Sequence, residues 1–325
     1  MSIDVPRALS TNRTAGDRIF RNVALSAGSS VLVLMLLVGL FLSLRAGQAI
    51  DRAGWSFLTE QAWEPDAGRF GIAAVLFGTV LIAAVAIAIA VPFATGTALY
   101  ITQYAPERLR PTLISLVDLM AAVPSVVYGL WGFFWLQNSI VPVSRWLSQT
   151  LGWIPVFDVV GADPADPLAP TTVYTSSTFI AGIVVAMMIA PIVTSIMREV
   201  FSQTPIGERE GALALGATRW AMIRAVVLPF GRAGMIGGTM LGLGRALGET
   251  IAVYMIISPV FVIQPRILEN GAISVSSLIA LRYGEATEFG MSALMAAGLA
   301  LFLLTLAVNF AASFVVSRSR SGASS

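Results

Sequence analysis

The run Gly71 to Val91, GIAAVLFGTVLIAAVAIAIAV, decides the class of this chain. A helix needs about 20 mostly apolar residues to cross a bilayer, and this run supplies them without a charge. Apolar sequence continues past Pro92 to about Tyr104. That continuation is too short for another crossing, so one kinked helix running past the bilayer is expected. Outward from it lie five more candidate spans: roughly Ala24–Leu44, Thr112–Leu136, Ser176–Met197, Ala233–Ile257 and Gly290–Val315. The apolar part of the first is longer than the usual apolar region of a signal peptide, so an uncleaved anchor is expected there. The fold class is an all-α polytopic membrane protein with six transmembrane helices.

Composition agrees. Of 325 residues, 56% are hydrophobic and 12% charged, whereas soluble domains are about 25% charged. Mean hydropathy is +0.81. A soluble globular enzyme and a disordered chain are both excluded. There is no cysteine and no histidine, and all 20 basic residues are arginine. Thiol nucleophiles, zinc clusters, imidazole bases and a Walker A lysine are therefore absent. An intramembrane enzyme has almost nothing to be built from. The net charge of +2 gives no argument for nucleic acid.

Six spans put both termini on one side, and arginine chooses which. One side carries 13, among them Arg7, Arg13, Arg18, Arg21, Arg108, Arg110, Arg318 and Arg320. The other side carries six: Arg45, Arg52, Arg69, Arg145, Arg266 and Arg282. Both termini are expected in the cytoplasm. The expected organisation is a cytoplasmic tail 1–23, a first helix 24–44, a five-helix core 71–315 and a cytoplasmic tail 316–325. The outer loop, about Asn138 to Thr175, holds Pro142, Pro155, Pro164, Pro167 and Pro170. Turns and irregular backbone are expected there.

The cytoplasmic segment 198–232 is long for a membrane protein, yet it is not disordered by composition. Gly207-Glu208 opens a stretch readable as helix through Leu215. Gly216 breaks it, and Thr218 can cap a second helix from Trp220 to Leu228, ending at Pro229. Two short helices would then meet at a glycine with apolar residues exposed. They could lie among lipid headgroups, or dock a soluble partner.

Three charges fall inside spans. Arg245 lies about 12 residues from each end of the fifth, where a charge costs on the order of 3 kcal/mol unless it faces a polar interior. Glu249 follows at i+4, on the same face of a continuous helix. The two could form a packing ion pair or line a substrate path. Arginine suits an anion, because its planar fork donates two bonds to a phosphate or carboxylate. In the path reading, an anion competes with Glu249 for Arg245. Asp118, near the entry of the third span, is either a second pathway point or half of an interfacial pair. Tyr128 and Gln137 are polar positions on that span. Pro92, Pro124 and Pro191 can shape a cavity or serve packing alone.

These residues carry a resemblance. Glu210-Gly211-Ala212, three residues, Gly216, nine residues, then Val226-Val227-Leu228-Pro229 is similar to the Glu-Ala-Ala signature of bacterial ABC importer permeases. It departs from it at Gly211 and Val226. Arg245-Ala246-Leu247-Gly248-Glu249-Thr250 resembles a segment of phosphate-specific transport permeases. So do Pro124–Gly132 and Ala186–Val200. Trp55–Leu58 and Trp63-Glu64-Pro65 resemble the first outer loop of the PstC-type subunit. The likeness runs from about Arg18 to Phe314.

The resemblance implies the type I ABC importer permease (MetI-like) fold and one half of a phosphate conduit. It implies that Glu210, Gly211, Ala212, Gly216, Leu228 and Pro229 couple to an ATPase. It places Arg245 and Glu249 on the substrate pathway, and leaves Asp118 open between its two readings. The implied partners are a homologous PstA-type permease, a cytosolic PstB-type ATPase dimer and an extracytoplasmic PstS-type phosphate-binding protein. No cofactor is expected on this chain, and ATP and Mg would be used by the ATPase. The same architecture serving molybdate, sulfate or phosphonate is the nearest alternative. An ion-coupled secondary transporter would instead call for paired inverted repeats.

Overall fold

The computed structural model describes residues 15–166 and 168–320. The expected roles of Arg7, Arg13, Pro167 and the end of the C-terminal tail lie outside those residues. Helix α1, Ala15–Ala53, is 39 residues long. The expected tail 1–23 is thus already helical from Ala15. After the short α2 (Ser56–Thr59), strands β1 (Trp63–Glu64) and β2 (Arg69–Phe70) pair antiparallel with Trp63 opposite Phe70. Phe70 meets Phe57, Trp63 and Phe289 edge-on, which pins this hairpin to the bundle.

Helix α3, Ala73–Leu99, runs unbroken through Pro92 into a π-turn at Tyr100–Tyr104. The expected third span is instead two helices, α4 (Arg110–Ala122) and α5 (Ser125–Trp131), bent by 87°. A π-turn (Gly132–Leu136) and α6 (Gln137–Ser139) extend α5. Pro124 causes the break. Val123 ahead of it is extended, at φ −65° and ψ 128°, as a residue before proline prefers. Proline has no N–H for the carbonyl four residues back, which is that of Met120. That carbonyl instead accepts from the Val123 N–H at 3.3 Å and from the Tyr128 phenol at 2.9 Å.

The loop 138–175 is more regular than its prolines suggest. It holds α7, Val141–Leu151, with Pro142 in the first turn, where a missing N–H costs nothing. Helix α8, Thr178–Ser202, is the central element, with Ile180, Ile189, Met197 and Phe201 fully buried. The Ser177 hydroxyl caps it by accepting from the Ile180 N–H. Next come α9 (Ile206–Ala214) and α10 (Arg219–Met222). A π-turn, Ile223–Val227, leads straight into α11, Leu228–Leu247. Pro229 therefore does not end a helix, as expected, but stands in the first turn of the next one. The fifth crossing is the continuous helix Arg219–Leu247, displaced toward the N-terminus from the expected Ala233–Ile257. It stops at Gly248, and α12 (Ile251–Ile256) follows. Helix α13 is Val275–Arg282, and α14, Glu288–Arg320, closes the bundle, still helical where a tail from 316 was expected.

Among the described residues, five helices are long and apolar enough to cross a membrane, or six with the bent α4–α5 pair counted as one span. Lipid supplies no hydrophobic drive between helices, so close packing of small residues holds them together. Ala83, Ala86, Ala90, Ala94 and Ala98 are buried in one stripe of α3, and α3 packs along α8. Gly231, Gly234, Gly238 and Gly242 form the matching stripe of α11. A Cβ on Gly231 would meet Phe201, and one on Gly242 would sit 2.7 Å from Val193. Gly78 is tighter, because a Cβ there would overlap the backbone carbonyl oxygen of Ile273. Gly78→Ala is expected to destabilise the fold by about 1–3 kcal/mol. Gly96→Ala, with open space around it, should be silent. Thermal denaturation of both variants checks this, and equal midpoints would contradict the packing.

Candidate functional site

The segment 198–232 folds as an anchored turn with an apolar exposed side. At the end of α9 the chain reverses at Gly216, φ +86°, a conformation that favours glycine. The Ala217 N–H donates to the Ala212 carbonyl (3.1 Å) and the Gly216 N–H to that of Leu213 (2.9 Å). This bond pair is a Schellman motif, which closes the last carbonyls of a helix. Thr218 then starts α10, its hydroxyl accepting from the Ala221 N–H at 3.2 Å. Inside, Met222, Ile223 and Val227 are buried against Ala98, Leu99, Met197 and Phe201. Ala212 is partly buried on the same cluster. Outside, Leu215 is 91% exposed, and Ile206 and Trp220 are more than half exposed. Glu210 and Gly211 lie on this open side, and a methyl at Gly211 would meet nothing. The signature's alanine would thus fit there as well.

The three membrane charges part company. Arg245 lies in the last turn of α11, on its exposed face with Gly237, Leu241 and Gly248. Arg245 stands three residues past Gly242 and seven past Gly238, so it continues the edge of the stripe buried on α8 at the helix end, where it is exposed. Glu249 sits after the helix has ended and is 8% exposed. Its Oε1 accepts from the Ala252 N–H at 3.2 Å, serving an otherwise orphaned donor at the start of α12. The expected i,i+4 relation fails because Gly248 ends α11 between the two residues. Among the described residues no ion pair joins them, and Arg245 has no carboxylate partner. Glu249 thus bonds the α12 backbone and not Arg245, so there is no ion pair here for an anion to compete with.

Asp118 lies on the exposed side of α4. Its Oδ1 accepts from the Ser195 hydroxyl of α8 at 3.2 Å. Its partner is a hydroxyl, not the cation an interfacial pair would need. Ser195 was not legible beforehand, because one serine in an apolar span has many uses. Gln137 accepts from the Ser176 hydroxyl at 3.2 Å and ties the bent span to the outer loop. No hydrogen bond or ion pair among the described residues joins any two of Arg245, Glu249 and Asp118.

Glu249 yields a discriminating expectation. If its work is to cap α12, Glu249→Gln keeps an acceptor oxygen and retains transport, whereas Glu249→Ala loses about 1–3 kcal/mol of local stability. Uptake and melting of the two variants measure this. Loss of uptake in Glu249→Gln with melting unchanged would assign the function to charge.

A family model described as "Binding-protein-dependent transport system inner membrane component" matches residues 90–321. "Phosphate transport system permease protein PstC 2" of Mycobacterium tuberculosis is 41% identical over 301 residues, covering 91% of this chain and 90% of the relative. "Phosphate transport system permease protein PstC" of Haemophilus influenzae is 38% identical over 303 residues, covering 91% and 92%. A chain from a bacterial alginate ABC transporter, crystallised with an alginate pentasaccharide-bound periplasmic protein, has a similar fold. Its TM-score is 0.59 at 16% identity, with 94% of this chain and 97% of that chain covered.

Proposed function

We infer the function from one premise: the chain belongs to the binding-protein-dependent transport inner-membrane component family, on its PstC-type branch. It is a multi-pass permease subunit of an ATP-driven phosphate importer and forms half of the translocation pathway. The observation that carries the anion reading is Arg245. An exposed guanidinium with no carboxylate partner, on a membrane-spanning helix, is costly unless it faces a polar interior. A path shared with a second permease provides one. There the fork of Arg245 would hold a phosphate by paired charge-assisted bonds. Asp118, held to α8 through Ser195, is a second polar point on an exposed face. Its like charge would keep an anion from resting near it.

The energy comes from elsewhere. The chain has no lysine and so no Walker A motif. Leu215, Ile206 and Trp220 offer an apolar surface that fits a groove on a cytosolic ATPase dimer. Because α10, its π-turn and α11 are one continuous helix, a push on α9 is delivered directly to the helix that carries Arg245. In this reading, ATP and Mg are used by that partner and the chain itself is not catalytic. A homologous permease and an extracytoplasmic phosphate-binding protein complete the complex, with both termini of this chain in the cytoplasm.

The test is ATPase activity of the complex in nanodiscs with these partners. Phosphate-loaded binding protein should stimulate hydrolysis and sulfate should not. Stimulation by sulfate or molybdate in place of phosphate would overturn the substrate assignment.

A further inference from the structure

At the end of the bundle remote from α9, α1, the start of α14 and the residues just before it line a cleft of about 490 Å³, within the size range of small-ligand sites. The two helices are antiparallel. The Ser292 hydroxyl donates to the Arg45 carbonyl at 2.8 Å, and further along Phe302 lies beside Gly39. The lining changes character along both helices in the same sense. Gln48 and Arg45 of α1 and Glu288 of α14, with Tyr283 beside them, form the mouth. Deeper, the walls are Phe41, about one turn from Arg45, and Met295, about two turns from Glu288. The mouth is polar and the depth apolar, along the direction that crosses the bilayer.

Arg45 and Glu288 are both exposed, and neither has an ion-pair or side-chain hydrogen-bond partner among the described residues. The Arg45 guanidinium has only the ring of Phe41, 5.7 Å away. Two opposite charges thus stand at one mouth without neutralising each other. A zwitterionic headgroup complements both: a phosphodiester on Arg45 and an ammonium on Glu288. A primary ammonium fits better than a quaternary one, because it can donate hydrogen bonds to the carboxylate.

We propose that this cleft is a binding site for a phosphatidylethanolamine-type phospholipid. Its phosphate meets Arg45, its ammonium meets Glu288, and an acyl chain lies against Phe41 and Met295. The lipid would fill the gap between the peripheral α1 and the core. This proposal does not depend on which anion the permease carries.

The experiment is native mass spectrometry of the full complex, delipidated and then titrated separately with palmitoyl-oleoyl phosphatidylethanolamine, phosphatidylcholine and phosphatidylglycerol. Phosphatidylethanolamine should bind best. Arg45→Gln should weaken it about tenfold, and Arg45→Lys should restore most of the loss. Glu288→Gln should erase the preference for ethanolamine over glycerol headgroups. Binding of phosphatidylethanolamine unchanged in the Arg45→Gln, Glu288→Gln double variant would overturn the proposal. So would its displacement by millimolar inorganic phosphate, which would make free phosphate the occupant.

Discussion

Arg245→Ala is expected to reduce ATP-driven phosphate uptake by about two orders of magnitude, the cost of losing a charge-assisted bidentate contact. The complex should still assemble. Arg245 is exposed within this chain and bonds to nothing whose loss would unfold it, while its neighbours Ala246 and Leu247 are the buried ones. The substitution removes a charge from a membrane helix, so the helix itself should become no less stable. Arg245→Lys should retain a fraction of the uptake, because an ammonium keeps the charge but not the planar fork. Uptake equal to wild type in an assembled Arg245→Ala complex would return the residue to a packing role.

Leu215→Asp is expected to uncouple the permease from its ATPase. The side chain stands at the tip of α9, just before the reversal at Gly216, and is 91% exposed. Burying a leucine contributes about 1.5–3 kcal/mol, and a carboxylate buried unpaired in its place adds a desolvation cost. The ATPase should therefore dissociate on size exclusion, while the two permeases stay together. Leu215→Ala should show a weaker form of the same effect. The inner side of the segment touches α8 through Met222, Ile223 and Val227, so the fold should be unaffected. An ATPase that stays bound to the Leu215→Asp complex would mean that docking lies elsewhere.

Much of this was legible in the residues. Hydropathy is a bulk property summed over about 20 positions, so the long apolar crossings could be located without knowing their neighbours. The turn at Gly216 was legible for a different reason. One residue there needs positive φ, glycine suits it, and Thr218 at the following cap agrees.

The breaks were not legible. Pro92, Pro124 and Pro191 all stand inside apolar runs, but only Pro124 divides its helix. What distinguishes it is the bonding around the bend, where the Met120 carbonyl turns to the Val123 N–H and the Tyr128 phenol. Pro229 misled in the opposite sense, because the π-turn before it absorbs the change in bonding and the helix continues. The site suffered most from the break at Gly248. Reading Arg245 and Glu249 as i,i+4 neighbours assumed a continuous helix. The chain turns between them, which leaves the arginine exposed and gives the glutamate a backbone donor instead.

The central claim is tested most directly by uptake of radiolabelled phosphate into vesicles holding this chain with its partner permease, ATPase and binding protein. ATP should drive accumulation, excess sulfate should leave it unchanged, and Arg245→Ala should cut it by about two orders of magnitude in a complex of unchanged composition. ATP-driven accumulation of sulfate or molybdate but not phosphate, by the same assembled and hydrolysing complex, would contradict the account.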